Sequence, residues 1–145
     1  MRVVLQRVRE ARVTVDEQTL GQIGPGLLLL TGITHDDRQS NAEFLAEKCI
    51  NLRVFEDEQG KMNRSCLECQ GEILVVSQFT LYGNCQKGRR PGFDQAAPPS
   101  QARELYDYFV QILQKSPLNI QTGRFQATMQ IHLINDGPVT LILEK

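Results

Sequence analysis

Ser77, Gln78 and Thr80 place two hydroxyls and a carboxamide within four positions, with the aromatic Phe79 among them, inside a stretch (73–82) that is otherwise apolar. Left unpaired in a buried strand, a hydroxyl or amide costs about 1–3 kcal/mol. Two arrangements remove that cost: a hydrogen bond to backbone near the strand's end, or a pocket where these groups meet a ligand. Thr80 is the nearest thing to a nucleophile, but a hydroxyl needs a base to activate it, and the only histidines are His35 and His132. Neither lies in a nucleophile-elbow setting, so no Ser-His-Asp type triad is expected. His132 alternates with Ile131 and Leu133 as a solvent-face strand residue would, and His35, beside Asp36 and Asp37, reads as surface loop.

Metal and phosphate signatures are equally thin. There is no G-x-x-x-x-G-K loop and no paired His-x-x-x-His. Cys66 and Cys69 have C-x-x-C spacing, but a structural zinc site wants a second such pair, and Cys49 and Cys85 stand singly. No metal and no cofactor are expected. The cluster Lys87, Gly88, Arg89, Arg90 reads first as a solvated loop, with a phosphate contact as the alternative. Gly137-Pro138, taken alone, reads as a turn.

The elements that must position these groups follow from periodicity. Residues 2–8 and 11–15 alternate as two strands. Gly21, Gly24, Pro25 and Gly26 punctuate a short segment, after which 27–33 is apolar at nearly every position and suits a central strand buried on both faces. Ser40 and Glu43 have capping-box spacing ahead of a helical stripe of Ala42, Leu45, Ala46 and Cys49, which predicts a helix over about 41–51. A strand at 52–55 leads into turn residues and a polar loop over 61–71, and the strand at 73–82 follows. Residues 83–99 read as a long surface loop. Ser100 then caps a second helix with the stripe Ala102, Leu105, Tyr106, Phe109, Ile112 and Leu113. Two last strands, about 127–134 and 138–144, flank a turn at 135–138. The whole, residues 1–145, reads as one sheet-rich α/β domain in which two packed β-sheets and two main helices form β/β/α layers. Two helices cover only one sheet face, so the other needs a second sheet or a second subunit.

Composition narrows the function classes. Hydrophobic residues are 41% and charged residues 23%, which suits a folded domain. The longest apolar run is 27–30, far short of the roughly 20 residues that span a bilayer, and residues 1–15 alternate where a secretory signal would show a basic cap and an apolar core. A cytoplasmic protein with no membrane partner is therefore expected, its four cysteines reduced. A net charge of −1 excludes a protein that coats nucleic acid, so any such contact should be local.

Taken together, the blocks along the chain resemble the D-aminoacyl-tRNA deacylases over essentially its full length. The resemblance rests on residues 1–7 leading into Ala11-Arg12-Val13-Thr14-Val15, on Gly24-Pro25-Gly26-Leu27-Leu28, on Phe55 through Gly60-Lys61-Met62-Asn63, and on Ser77-Gln78-Phe79-Thr80-Leu81. It continues through Lys87-Gly88-Arg89-Arg90-Pro91, Thr122-Gly123-Arg124-Phe125 and Asn135-Asp136-Gly137-Pro138-Val139-Thr140. Tyr82, Gly83, Asn84, Cys85 and Gly92 depart from the usual pattern. Cys85 has no base nearby in sequence and is not expected to act as a nucleophile.

The resemblance implies hydrolysis of the ester between a D-amino acid, or glycine mischarged on tRNA(Ala), and the 3′ end of a transfer RNA, with L-aminoacyl-tRNA rejected. It further implies a homodimer in which a cis Gly137-Pro138 reaches into the partner's pocket. Ser77, Gln78, Phe79 and Thr80 would line the pocket for the terminal adenosine and its amino acid, and Met129 and Arg7 would hold the Gly-Pro element. An enzyme that accepts many D side chains must test the α-carbon alone, and rigid main chain that crowds the place of an L side chain discriminates by exclusion. For the chemical step, backbone donors near Phe79 and Thr80 would polarise the ester carbonyl while the RNA's own 2′-hydroxyl positions water. The rival reading is a non-catalytic module that binds aminoacylated RNA ends or small ligands.

Overall fold

The computed structural model describes residues 1–145 and orders them as β1 (Arg2–Val15), β2 (Gln18–Ile23), β3 (Gly26–Gly32), α1 (Gln39–Asn51), β4 (Arg53–Glu56), β5 (Met62–Ser65), β6 (Glu72–Ser77), α2 (Pro99–Leu113), β7 (Ile120–Thr122) and β8 (Gln130–Glu144). A 3-10 turn, Phe79–Tyr82, follows β6. β2 and β3 return along one edge of β1, from Val15↔Gln18 to Arg2↔Gly32, and β8 runs along the other. β6 extends the sheet in parallel with β3, and β7 in parallel with β6. β4 and β5 form a separate two-stranded hairpin.

Two cores flank the central strands. Leu27 and Leu29 of β3 and Ile73 and Val75 of β6 face α1 and α2, where Leu45, Ala46, Cys49, Leu105, Phe109 and Leu113 are buried against them. The alternate residues, Leu28, Leu74 and Val76, point the other way, into a smaller core with Val8, Ala11, Val13 and Ile23. Each fully buried Leu or Val contributes about 1.5–3 kcal/mol. The face away from the helices is covered by the sheet's own coiling, which brings β2 over β6 and β7. At Gly21 a Cβ would stand 3.0 Å from the Thr122 carbonyl and 3.2 Å from Leu74 Cδ1, so any larger residue would push the crossing strands apart by a few tenths of an ångström. The expected sheet-rich domain with two sheets and two helices is thus what the chain builds. No helix is long and apolar enough to cross a membrane.

Several boundaries differ from the sequence reading. The strands expected over 2–8 and 11–15 are one strand of 14 residues. Its ladder with β8 is irregular between Gln6 and Glu10, and there the strand changes sides: Val3 and Leu5 belong to the helix-side core, Ala11 and Val13 to the smaller one. β6 ends at Ser77, and the 3-10 turn takes the place of the rest of the strand expected to 82. The loop expected over 61–71 contains β5, whose first three residues are exposed and so carry no apolar signal. β7, of three residues, was too short to read. α1 begins at Gln39, with the Asn41 side chain accepting from the Arg38 N–H at 2.9 Å, and Glu43 instead accepts the Tyr108 hydroxyl, tying α1 to α2. α2 begins with Pro99 in its first turn, a position where the missing N–H costs nothing. In place of the turn and two strands expected over 127–144 there is the single strand β8, in which 136–139 lie in a bulge.

Candidate active site

Polar interruptions in the two central strands fall at the same level. Thr31 of β3 pairs with Ser77 of β6, and the Gln78 N–H donates to the Thr31 carbonyl at 2.8 Å. These residues form the floor of a cavity of about 860 Å³ that also holds Phe79, Phe93, Phe125 and Met129. The Thr31 hydroxyl is buried and has no partner within the chain. Thr31 is among the residues that line the cavity, with its hydroxyl oxygen held beneath the cavity's surface.

The walls are aromatic. Phe79 and Phe93 meet edge to face, with ring centroids 5.1 Å apart, and both stay partly exposed, at 57% and 38%. Phe79 is placed by the 3-10 turn, and Phe93 by a short bridge in which Asn84 and Gly92 exchange hydrogen bonds of 2.7 and 2.9 Å. The next segment is stitched to the end of β3: Thr34 and Ala96 form a bridge, and the His35 Nε2–H donates to the Asp94 carbonyl at 2.8 Å. Phe125 closes the far side, tilted against Tyr106 at 5.8 Å. The ionisable residues of the lining are His35 and Asp94 alone. Their contact runs from ring to backbone, so no acid-base pair is built. Such a cavity suits a neutral planar group with a few polar atoms.

Of the residues singled out from sequence, Ser77, Gln78, Phe79 and Met129 line this cavity. Thr80 sits on the exposed 3-10 turn outside the lining, and its hydroxyl accepts from the Gln78 side-chain amide. Arg7, Gly137 and Pro138 lie elsewhere. The β1 to β8 register passes from Gln6↔Thr140 to Val8↔Asn135, so Asp136, Gly137, Pro138 and Val139 bulge out opposite Arg7 alone. Arg7, only 5% exposed, donates to the Val54 carbonyl at 2.6 Å and to the Asp136 carbonyl at 3.3 Å, and its Nε stands 3.2 Å from Asp136 Oδ2. Arg9 reaches the other Asp136 oxygen at 3.0 Å. The Gly137-Pro138 peptide is cis. Gly137 has φ +115°, and a Cβ there would stand 2.8 Å from Arg7 Nη2, so only glycine fits. Arg7 contacts Asp136, the residue before the Gly-Pro pair, while Met129 stands in the cavity wall. Sequence reasoning missed Thr31, Phe93 and Phe125. Thr31 carried the signal already used for Ser77, a polar residue within a buried run; Phe93 and Phe125 stand in irregular segments with no periodicity to point inward.

The fold and cavity define a sheet-rich protein with an aromatic-walled site that carries few ionisable groups. Comparison with known proteins narrows this. Residues 4–144 match the model of the D-Tyr-tRNA(Tyr) deacylase family. Proteins named D-aminoacyl-tRNA deacylase from Bacillus cereus (strain AH187) and Bacillus anthracis are each 58% identical over 144 residues, covering 99% of this chain and 99% of theirs. A solved structure named c-Myc DNA Unwinding Element Binding Protein superposes with a TM-score of 0.94 at 45% identity, over 100% of this chain and 99% of that one. Another, described as a probable eukaryotic D-amino acid tRNA deacylase, shares the fold with a TM-score of 0.87 at 19% identity, over 99% of this chain and 98% of that one. The chain belongs to the D-Tyr-tRNA(Tyr) deacylase family.

Proposed function

We propose that the chain hydrolyses the ester bond of D-aminoacyl-tRNA, releasing the D-amino acid and the RNA 3′ end, and rejects L-aminoacyl-tRNA. The observation that carries this reading is the cavity lined by Ser77, Gln78 and Phe79 of the family's block, polar at its floor, aromatic at its walls and free of an acid-base pair. Phe79 and Phe93 offer faces for the terminal base, the usual way an unpaired RNA end is held. Water adds to the ester carbonyl carbon, the bond to the ribose oxygen breaks, and that oxygen leaves with a proton. The amides that open the 3-10 turn, Phe79 and Thr80, lack a partner within it and can polarise the carbonyl, while the neighbouring ribose hydroxyl positions the water.

Selection falls to the 136–139 bulge, which lies outside its own chain's cavity. It serves the cavity of a second copy, so the working unit is a homodimer. In support, the edge strand β8 exposes Leu133, Ile134, Leu141 and Ile142, and a long apolar edge of this kind is normally covered. Main chain that crowds an L side chain has nothing to exclude in glycine, so glycyl esters on tRNA(Ala) are cut as well. The site of action is the cytoplasm. Incubation of the purified protein with D-tyrosyl-tRNA and L-tyrosyl-tRNA tests the reading: turnover of the D form alone is expected. Equal turnover of both would remove the chiral selection, and tight binding without release would make the protein a binding module.

A further inference from the structure

The hairpin over residues 84–92 carries Lys87, Arg89 and Arg90 and no acidic residue, in a chain whose net charge is −1. All three cations are exposed. Of the lysine and arginine side chains only Arg2, Arg7, Arg9 and Arg103 pair with a carboxylate; these three have no ion-pair partner and differ from the other unpaired cations in standing together on one short hairpin. The hairpin is fixed at its root. Asn84 and Gly92 exchange backbone hydrogen bonds, the Asn84 side chain accepts from the Gln86 N–H at 3.0 Å, and Gly88 turns the tip with φ +71°. Its root is also the cavity's aromatic wall: the Gly83 N–H donates to the Thr80 carbonyl at 2.9 Å, and a Cβ on Gly83 would lie 3.1 Å from the Phe93 ring. A base held by Phe79 and Phe93 therefore has its polynucleotide beside a cationic arm anchored at its root. Three residues beyond the Asn84–Gly92 bridge reach about 10 Å, which spans about three phosphates at ~3.4 Å per nucleotide of a stacked strand. The other cationic recess, beside α2, is a poorer match, because Asp107 neutralises Arg103 at 2.8 Å and Phe125 covers it.

We propose that Lys87, Arg89 and Arg90 form a backbone clamp for the single-stranded 3′ tail of the RNA, gripping phosphates a few nucleotides before the terminal adenosine. The clamp rests on the reading that the cavity takes that adenosine, and it supplies affinity without selecting sequence or chirality. It also reconciles a near-neutral protein with a polyanionic substrate, because three unpaired cations stand together beside the cavity's aromatic wall.

The experiment compares the wild type with K87A/R89A/R90A in two assays. In the first, binding of uncharged tRNA is measured from 50 to 200 mM salt. Three contacts to a single strand contribute a slope of about −2 in log K against log salt, so the wild type should lose about 20-fold more affinity over that range than the variant. K87R/R89K/R90K, which keeps the charge, should keep the wild-type slope. In the second, cleavage of D-tyrosyl-adenosine, which has no tail, should be the same in the wild type and the triple alanine variant, while kcat/KM on D-tyrosyl-tRNA falls through KM. Equal salt slopes, or an equal loss on the small ester, would overturn the clamp. Failure of the wild type to cleave either ester would instead overturn the hydrolase reading, and the binding slopes would still judge the clamp.

Discussion

Replacing Arg7 with methionine keeps most of the side-chain volume but removes the buried donors that hold the 136–139 bulge against β1, leaving only the exposed Arg9 on Asp136. Arg7 sits at 5% exposure, and its loss strips the Val54 carbonyl of a 2.6 Å charged hydrogen bond and leaves Asp136 without its buried partner. The bond to Val54 is worth about 1.5–3 kcal/mol. Asp136, about a third exposed, adds roughly 1 kcal/mol, and Glu56, at 3.7 Å and mostly exposed, adds little. The sum is about 3 kcal/mol, which lowers the Tm of a domain of this size by roughly 6–12 °C. Arg9 provides the control, because it reaches the same Asp136 carboxylate from a side chain that is 74% exposed. Arg9→Met should cost less than about 1 kcal/mol. Calorimetry on both variants reads the stability, and D- against L-tyrosyl-tRNA turnover reads selection. If the bulge makes the choice, loosening it by about 1.4 kcal/mol lowers the D/L ratio tenfold. A Tm for Arg7→Met no lower than that of Arg9→Met, with an unchanged D/L ratio, would refute the anchoring argument.

Thr80→Ala should retain single-turnover cleavage within about threefold, because the hydroxyl meets only the Gln78 amide and no base; a drop beyond 100-fold would make Thr80 the nucleophile. Phe93→Ala should raise KM for D-tyrosyl-adenosine by roughly 5- to 150-fold, the equivalent of one base stacked on an aromatic face at about 1–3 kcal/mol, and an unchanged KM would remove Phe93 from the binding wall. Burial pushes the Cys49 and Cys66 thiols from the ordinary 9.0 up to about 12. The folded chain keeps both protons where the unfolded chain loses them, so their contribution is complete below pH ~9 and falls by about 1.4 kcal/mol per pH unit for each thiol until about 12. Urea midpoints taken across pH 8 to 11 check this, and Cys49→Ala with Cys66→Ala should flatten the decline.

What could be read from residues alone divides along a physical line. β3, β6 and the two helices were legible because burial against both cores stamps its period on 27–33, on 73–77 and on the α1 and α2 stripes. β5 and β7 bury too little to leave any such mark. β1 read as two strands because its bulge changes which core the strand faces, a discontinuity that sequence shows only as a loss of rhythm. β8 misled for a related reason: Asn135, Asp136, Gly137 and Pro138 are the residues a tight turn would use, and a bulge that projects four residues past Arg7 asks for the same backbone freedom. Local chemistry cannot tell the two apart; the partner strand decides. The site divides in the same way. Ser77 and Gln78 announced themselves by breaking an apolar run, and Thr31 does so in the strand beside them, so two polar breaks in adjacent buried strands form a stronger signal than either alone. Phe93 and Arg7 could not be found by any rule of this kind. Phe93 owes its place to a hairpin root and a stitched loop, and Arg7 to a carbonyl 47 positions away along the chain.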